Sequence, residues 1–359
     1  MDAYLIMDGQ WGSCGKGLLA GKLALDRNPD LSVCNFGPNA GHTFIDADGV
    51  RVLTRQLPTA LVNPGTLLVL GPGAIIDPQV LLSEVDEFDP LYDIRKRLLI
   101  HERAAVVLPQ DRETEAVLTS IASTRKGVGA AQVRKIMRNS TPQAPAVARD
   151  FFAGTDLAEN IISASAYRSL LGDARLVQVE SAQGLELSLN HGSHYPYCTS
   201  RDVTPEAILN DVGIAARHLM ETDVVVRTYP IRVGNEYTCS GEMLGTSGPV
   251  YPDMEELSWE ALSARVGRPL LERTTVTAKV RRVFTWSPSQ YRRMLQGMSN
   301  CQVMLNFCNY LHPRAQRYED LDKDARAFID EVHNVAWEHQ AELSWMGFGP
   351  GYRDVQAYN

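Results

Sequence analysis

Short apolar runs alternate along the chain with longer stretches whose apolar residues recur at helical spacing. Residues 3–7 read as a buried strand, and residues 31–35, 67–70, 175–179, 223–228 and 302–307 read the same way. Helical spacing predicts helices over residues 16–25, 112–122, 205–220, 288–298 and 320–343. Strands alternating with helices predict an α/β fold, a mainly parallel sheet with helices on both faces. No internal repeat or change of composition marks a linker, so residues 1–359 are expected to form a single domain with insertions.

Composition narrows the possibilities. A hydrophobic share of 44% in 359 residues allows a sizeable core. Lysine and arginine total 35 against 43 acids, a net charge of −8, which disfavours direct nucleic-acid binding. No apolar run approaches the ~18 residues of a membrane span. The first residues, Met1-Asp2-Ala3-Tyr4, lack the basic region of a signal peptide. A soluble, cytoplasmic protein is expected. The 6 cysteines are scattered without a Cys-x-x-Cys pair, so neither zinc nor a disulfide framework is expected.

The candidate chemistry begins where the first strand ends. Gly9-Gln10-Trp11-Gly12-Ser13-Cys14-Gly15-Lys16-Gly17 follows that strand and opens a helix. Glycines let backbone N–H groups approach phosphate oxygens, the helix N-terminus adds partial positive charge, and Lys16 adds a full one. This is the physics of a P-loop. The interval from Gly9 to Gly15 is one residue longer than the usual form, and Gly17 stands where a Ser or Thr would hold magnesium. A second segment, Gly37-Pro38-Asn39-Ala40-Gly41-His42-Thr43, follows the second strand. Consecutive strand ends of a parallel sheet meet at one edge, which would bring His42 towards the same phosphates as Lys16.

These two segments together resemble the adenylosuccinate synthetase family, and further stretches agree in order. Ser123-Thr124-Arg125-Lys126-Gly127-Val128-Gly129, Glu180-Ser181-Ala182-Gln183-Gly184, Tyr195-Pro196-Tyr197-Cys198-Thr199-Ser200, Arg232-Val233-Gly234, Thr275–Arg282 and Gly349-Pro350 each resemble a family segment. The resemblance spans nearly the whole chain. It implies the fold of that family and a ligase chemistry. A nucleoside triphosphate phosphorylates O6 of a purine monophosphate, and the amino group of L-aspartate then displaces the phosphate, with Mg2+ as cofactor.

The departures from the family carry the most information. The family loop has an aspartate, which takes the purine N1 proton and touches magnesium, where this chain has Ser13. That substitution resembles the phage-encoded branch, the 2-aminoadenylosuccinate synthetases, which act on dGMP to make a precursor of 2-aminoadenine DNA. The family also reads guanine of its GTP with a Lys-x-Asp pair. Here Asn306 and Cys308 fall at those positions if no gap intervenes, and Asn309 replaces the aspartate if the register slips. Either way the carboxylate is gone, which points to ATP or dATP as donor. Ordinary adenylosuccinate synthesis from IMP and a non-catalytic nucleotide binder are the competing readings.

By position, the resemblance implies Ser13, Lys16 and His42 as catalytic residues. Ser13, Asn39, Ser123, Thr124, Gln183 and Thr199 would line the purine monophosphate pocket, and Arg138 would reach that nucleotide across a homodimer interface. Ser13, Gly15, Lys16, Gly17, Gly41, His42, Thr43, Gln183, Asn306, Gly347 and Gly349 would serve the triphosphate. Thr275, Val276, Thr277, Arg281 and Arg282 would hold L-aspartate, and Ser13 with the Gly41 carbonyl would meet magnesium. The host cytoplasm is the expected location if the chain is phage-encoded.

Overall fold

A computed structural model describes residues 1–117, 121–274, 278–312 and 314–358. Ten strands form its main sheet: β1 (Asp2–Asp8), β2 (Leu31–Cys34), β3 (Leu67–Leu70), β4 (Leu98–His101), β5 (Ile161–Ile162), β6 (Leu176–Gly184), β7 (Leu219–Arg227), β8 (Cys301–Asn306), β9 (Glu342–Gly347) and β10 (Val355–Ala357). Their spatial order is β10-β9-β8-β7-β1-β6-β2-β3-β4-β5. Every neighbouring pair is parallel except β9 with β10. The α/β expectation is met.

Side chains alternate between the two faces along each strand. Ala3, Leu5 and Met7 of β1 join one apolar cluster, with Tyr291 and Met294 from the helix Pro288–Gln296 and Ile329 and Val332 from the helix Lys323–Glu338. Tyr4 and Ile6 join the other, with Leu18, Leu19 and Leu23 of helix α1 (Lys16–Arg27) and Leu81 and Val85 of the helix Pro78–Tyr92. Helices therefore cover both faces, which lets the central strands be apolar throughout.

Several predicted boundaries move. The helix expected over residues 112–122 is Pro109–Ala116, and Leu118, Thr119 and Ser120 lie outside the described residues. The one expected over residues 205–220 stops at Val212, because Gly213 turns left-handed at φ 70° and β7 begins at Leu219. The helix expected over residues 320–343 is Lys323–Glu338, capped by the Asp322 carboxylate on the Ala325 N–H; Leu343 belongs to β9. A short apolar run fits a buried strand as well as a helix end. β6 continues to Gly184, beyond the expected end at residue 179, and so carries Gln183 on the sheet.

The strand ends build the site. Asp8, the last residue of β1, sits opposite Gly184 of β6 and Val225 of β7, while Arg227 ends β7 opposite Asn306 of β8. The glycine loop passes over these ends so tightly that a Cβ on Gly184 would lie 2.1 Å from the Gln10 carbonyl oxygen and 2.3 Å from the Gly12 nitrogen. Both obstacles are backbone, so Gly184→Ala must displace the loop. The expected outcome is a loss of about 1–3 kcal/mol in urea unfolding together with weaker nucleotide binding. Unchanged midpoint and unchanged binding would refute this account of the loop.

Candidate active site

Helix α1 starts at Lys16, after Gly15 in a left-handed conformation with φ 92°, and no side chain caps it. Its first N–H groups are therefore left for a ligand. Ser13 is also left-handed, with φ 55°. The loop is tied from behind. The Arg227 Nη1 donates to the Ser13 carbonyl at 3.0 Å, and the Asn306 amide nitrogen donates to the Cys14 carbonyl at 2.8 Å. Arg227 is fully buried, stacked 3.7 Å above the Phe307 ring, and its guanidinium also binds the Glu272 carboxylate.

Two adjoining cavities open on one side of the loop. The larger, about 360 Å³, is lined by Asn39, Ser123, Thr124, Gln183, Thr199 and Arg232 among others. The smaller, about 110 Å³, shares Asn39, Thr124, Gln183 and Arg232 and adds Asp8, Ser13, Lys16, Gly41 and Arg281. Six residues expected at a purine monophosphate are thus brought together. Arg138 is not among them. It is exposed at φ 56°, just beyond the helix Val128–Ile136.

A third cavity, about 340 Å³, lies on the other side, against Gly15, Thr43, Asn306, Asn309, Tyr310 and Gly349, with Phe307, Leu270 and Pro350 as apolar walls. The register question at the end of β8 has a geometric answer. Asn309 lines this cavity, whereas Cys308 is fully buried and its thiol faces the Leu305 carbonyl. Cys308 is therefore corrected as the residue at the base-reading position. Asn306 touches the cavity, but its amide is engaged by Cys14 and by its neighbour's N–H.

Other assignments fare unevenly. Gly17 and Gly347 line none of these cavities and instead permit close packing: a Cβ on Gly17 would lie 3.0 Å from the His42 Cβ, and one on Gly347 would lie 2.1 Å from the Asn306 Oδ1. Arg282 is withdrawn from the cavities, with its guanidinium on Glu256 at 2.8 and 2.6 Å and on the Gly248 carbonyl at 2.8 Å. Arg281 does line the smaller cavity, and burial pushes its pKa down to about 10 despite Glu272. Burial and then the charge of Arg282 lower Arg232 to about 10 as well. Two desolvated guanidiniums in one cavity favour an anionic ligand. Thr275, Val276 and Thr277 lie outside the described residues.

Sequence reasoning missed the partners of the catalytic candidates. Lys16 Nζ binds the Asp8 Oδ2 at 2.9 Å, with both side chains buried. His42 is buried, and its Nδ1 lies 2.6 Å from the Glu180 Oε1. Burial and then the Lys16 charge push the His42 pKa below its ordinary value, and Glu180 pulls it back. Glu180 is itself held by the Thr59 N–H and hydroxyl, both at 2.8 Å. Asp8 stands directly before the glycine loop and Glu180 opens the segment Glu180–Gly184, but nothing in the sequence pairs them with Lys16 and His42.

Among the described residues no group of three His, Cys, Asp or Glu side chains is placed to hold a metal. Oxygen donors do border the smaller cavity, namely Ser13 and the Gly41 backbone. That donor set fits Mg2+ held mainly by phosphates and water.

A parallel sheet with a glycine loop and a helix N-terminus at its strand ends is the architecture of an α/β protein that takes phosphorylated ligands. The adenylosuccinate synthetase family model matches residues 5–161. A curated N6-succino-2-amino-2'-deoxyadenylate synthase of Salmonella phage PMBT28 is 35% identical over 369 residues, covering 98% of this chain and 96% of the relative. The enzyme of the same name from Vibrio phage phiVC8 is 38% identical over 363 residues, covering 98% and 97%. Among solved structures, the succinoaminodeoxyadenylate synthetase of cyanophage S-2L, bound to dGMP and dATP, matches with a TM-score of 0.83 at 34% identity, covering 99% of this chain and 95% of that one. The chain belongs to the adenylosuccinate synthetase family of ligases.

Proposed function

We propose that this protein joins L-aspartate to dGMP, with cleavage of ATP or dATP to the diphosphate and phosphate, through a 6-phosphoryl purine intermediate. The product would be N6-succino-2-amino-2'-deoxyadenylate, a precursor of 2-aminoadenine nucleotides. The observation that carries this reading is the full-length similarity to phage synthases of that name, joined to Ser13 in the cavity wall where the family has aspartate.

The residues take complementary parts. Asn39, Thr124, Gln183 and Thr199 bind the monophosphate, and Ser13 lies beside the purine. Lys16 and the α1 N-terminus hold the transferring phosphoryl group, and the N–H of His42 stabilises the charge that develops there. Arg281 receives an aspartate carboxylate, and Thr275, Val276 and Thr277 complete that site. Ser13 and the Gly41 carbonyl would meet Mg2+, which when bound supplies charge neutralisation across the phosphates. Arg138 serves a homodimer, supported by the exposed Val133, Ile136 and Met137 beside it. The site belongs to one domain with insertions, active in the cytoplasm of a phage-infected host.

The test combines protein, Mg2+, ATP and L-aspartate with either dGMP or IMP and seeks the succino-nucleotide by mass spectrometry. Product from dGMP is expected. Product from IMP alone would return the chain to ordinary purine synthesis, and product from neither would favour a binder.

The donor follows from the third cavity, whose described walls offer Asn309 and no carboxylate. The Asn309 amide oxygen can accept from one of guanine's N1–H and N2–H but does not take both as a carboxylate does, at a cost of about 1–3 kcal/mol for the one left over. Turnover per KM with ATP is expected to exceed that with GTP by about tenfold or more. Equal values would refute the assignment.

A further inference from the structure

O6 of guanine is a poor nucleophile until N1 loses its proton, and Ser13 has no basic character of its own near neutral pH. An acceptor must stand within reach of N1. Asp8 is the one carboxylate among the described residues lining the 110 Å³ cavity that holds Ser13, Lys16 and Arg281. It is fully buried at the end of β1, opposite Gly184, which presents no side chain to block it.

The other nearby acids are committed elsewhere. Glu180 holds His42 and Thr59, Glu272 holds Arg227 and Tyr310, and Glu115 holds the Gly127 and Gly129 N–H groups. Asp8 differs. Its Oδ1 accepts from the Cys14 N–H at 3.2 Å, and among the described residues its Oδ2 is held by Lys16 alone. Lys16 is also the cation that phosphate binding would draw away. A triphosphate at the loop would therefore release Oδ2 into the cavity as the second substrate is activated.

The geometry points to Asp8 as the catalytic base that takes the N1 proton of guanine, a carboxylate moved from the loop to the end of the first strand. This inference rests on the proposed function. In the step, the N1–H bond breaks and the proton passes to Asp8 Oδ2, leaving a neutral carboxylic acid. The N1 electron pair forms the N1–C6 double bond as the C6–O6 π bond breaks and its pair moves onto O6. O6 then bonds to the γ-phosphorus, and the bond from that phosphorus to the β–γ bridging oxygen breaks, releasing the nucleoside diphosphate. The proton returns to water with the products.

Asp8→Asn keeps the shape and the acceptor for Cys14 while removing the charge. The expected result is a fall in kcat of about 10²–10⁴-fold with the KM values for dGMP and ATP nearly unchanged. The variant's kcat should also climb with pH relative to the wild type's, as guanine N1–H ionises unaided. An unchanged kcat, a lowered kcat with the wild-type pH shape, or a defect cured by more Mg2+ would each overturn the assignment. If Asp8→Asn does not fold, Asp8→Glu keeps the charge beside Lys16 and displaces the oxygen. A kcat lowered about tenfold or more with KM retained supports the base role, and an unchanged kcat overturns it. Wild-type protein that makes no product from dGMP fails the proposed function itself, whereas an active wild type with an equally active Asp8→Asn fails only this inference.

Discussion

Lys16→Met is expected to lose both activity and stability, and the two losses separate. Lys16 is the full positive charge at the glycine loop, and removing one preorganised charge from a phosphoryl-transfer site costs about 10²–10³-fold in kcat. Its partner Asp8 has no exposed side-chain surface, and the pair is 2.9 Å apart. Breaking a buried pair from one side strands the other charge, at a cost of about 3–5 kcal/mol. The double variant Lys16→Met with Asp8→Asn removes that stranded charge. It should recover most of the urea midpoint and none of the turnover. Turnover of Lys16→Met within tenfold of wild type would sink the role of Lys16, and a double variant no more stable than the single would sink the energetic account of the pair.

The second large effect concerns His42 and Glu180. Replacing His42 with asparagine is expected to lower kcat by about 10²–10⁴-fold if, as proposed, its N–H stabilises the developing charge. Glu180→Gln tests the protonation state. Burial and the Lys16 charge lower the His42 pKa, while Glu180 raises it. If the imidazolium is the working form, activity falls as pH rises through that lowered pKa. Removing the Glu180 charge takes away the raising influence, so the falling limb should move to lower pH and turnover near neutrality should drop. A limb that stays in place or moves upward would contradict this.

The β1–loop–α1 unit is legible in the sequence because its parts are contiguous. A buried strand, closely spaced glycines and a lysine at a helix start need no distant partner to be recognised. Asn39, Thr124, Gln183 and Thr199 were legible only by resemblance, and their meeting in one cavity wall depends on the order of the strands. The pairs that tune the site were not legible. Asp8 with Lys16, Glu180 with His42 and Arg227 with Glu272 are set by strand register and loop path. Choosing between Cys308 and Asn309 needed the turn after β8, where Phe307 goes left-handed at φ 61° and directs Asn309 to the cavity. Only Glu342 and Leu343 of β9 fall in the helix expected over residues 320–343, because Leu343 suits either spacing, and the rest of that strand has no expected element.

The position of β1 at the middle of the sheet bears on how the chain acquires its site. Its neighbours in the sheet, β6 and β7, arise about half a chain length or more after it; one anchor of its loop, Arg227, ends β7, and the other, Asn306, comes later still. During synthesis the glycine loop leaves the ribosome long before its supports, and the last of them, Asn306, arrives only with β8. Contacts of such high sequence separation close slowly. The β1–loop–α1 segment therefore carries the phosphate cradle as a latent shape, and the strands that follow, through β8, turn it into a site.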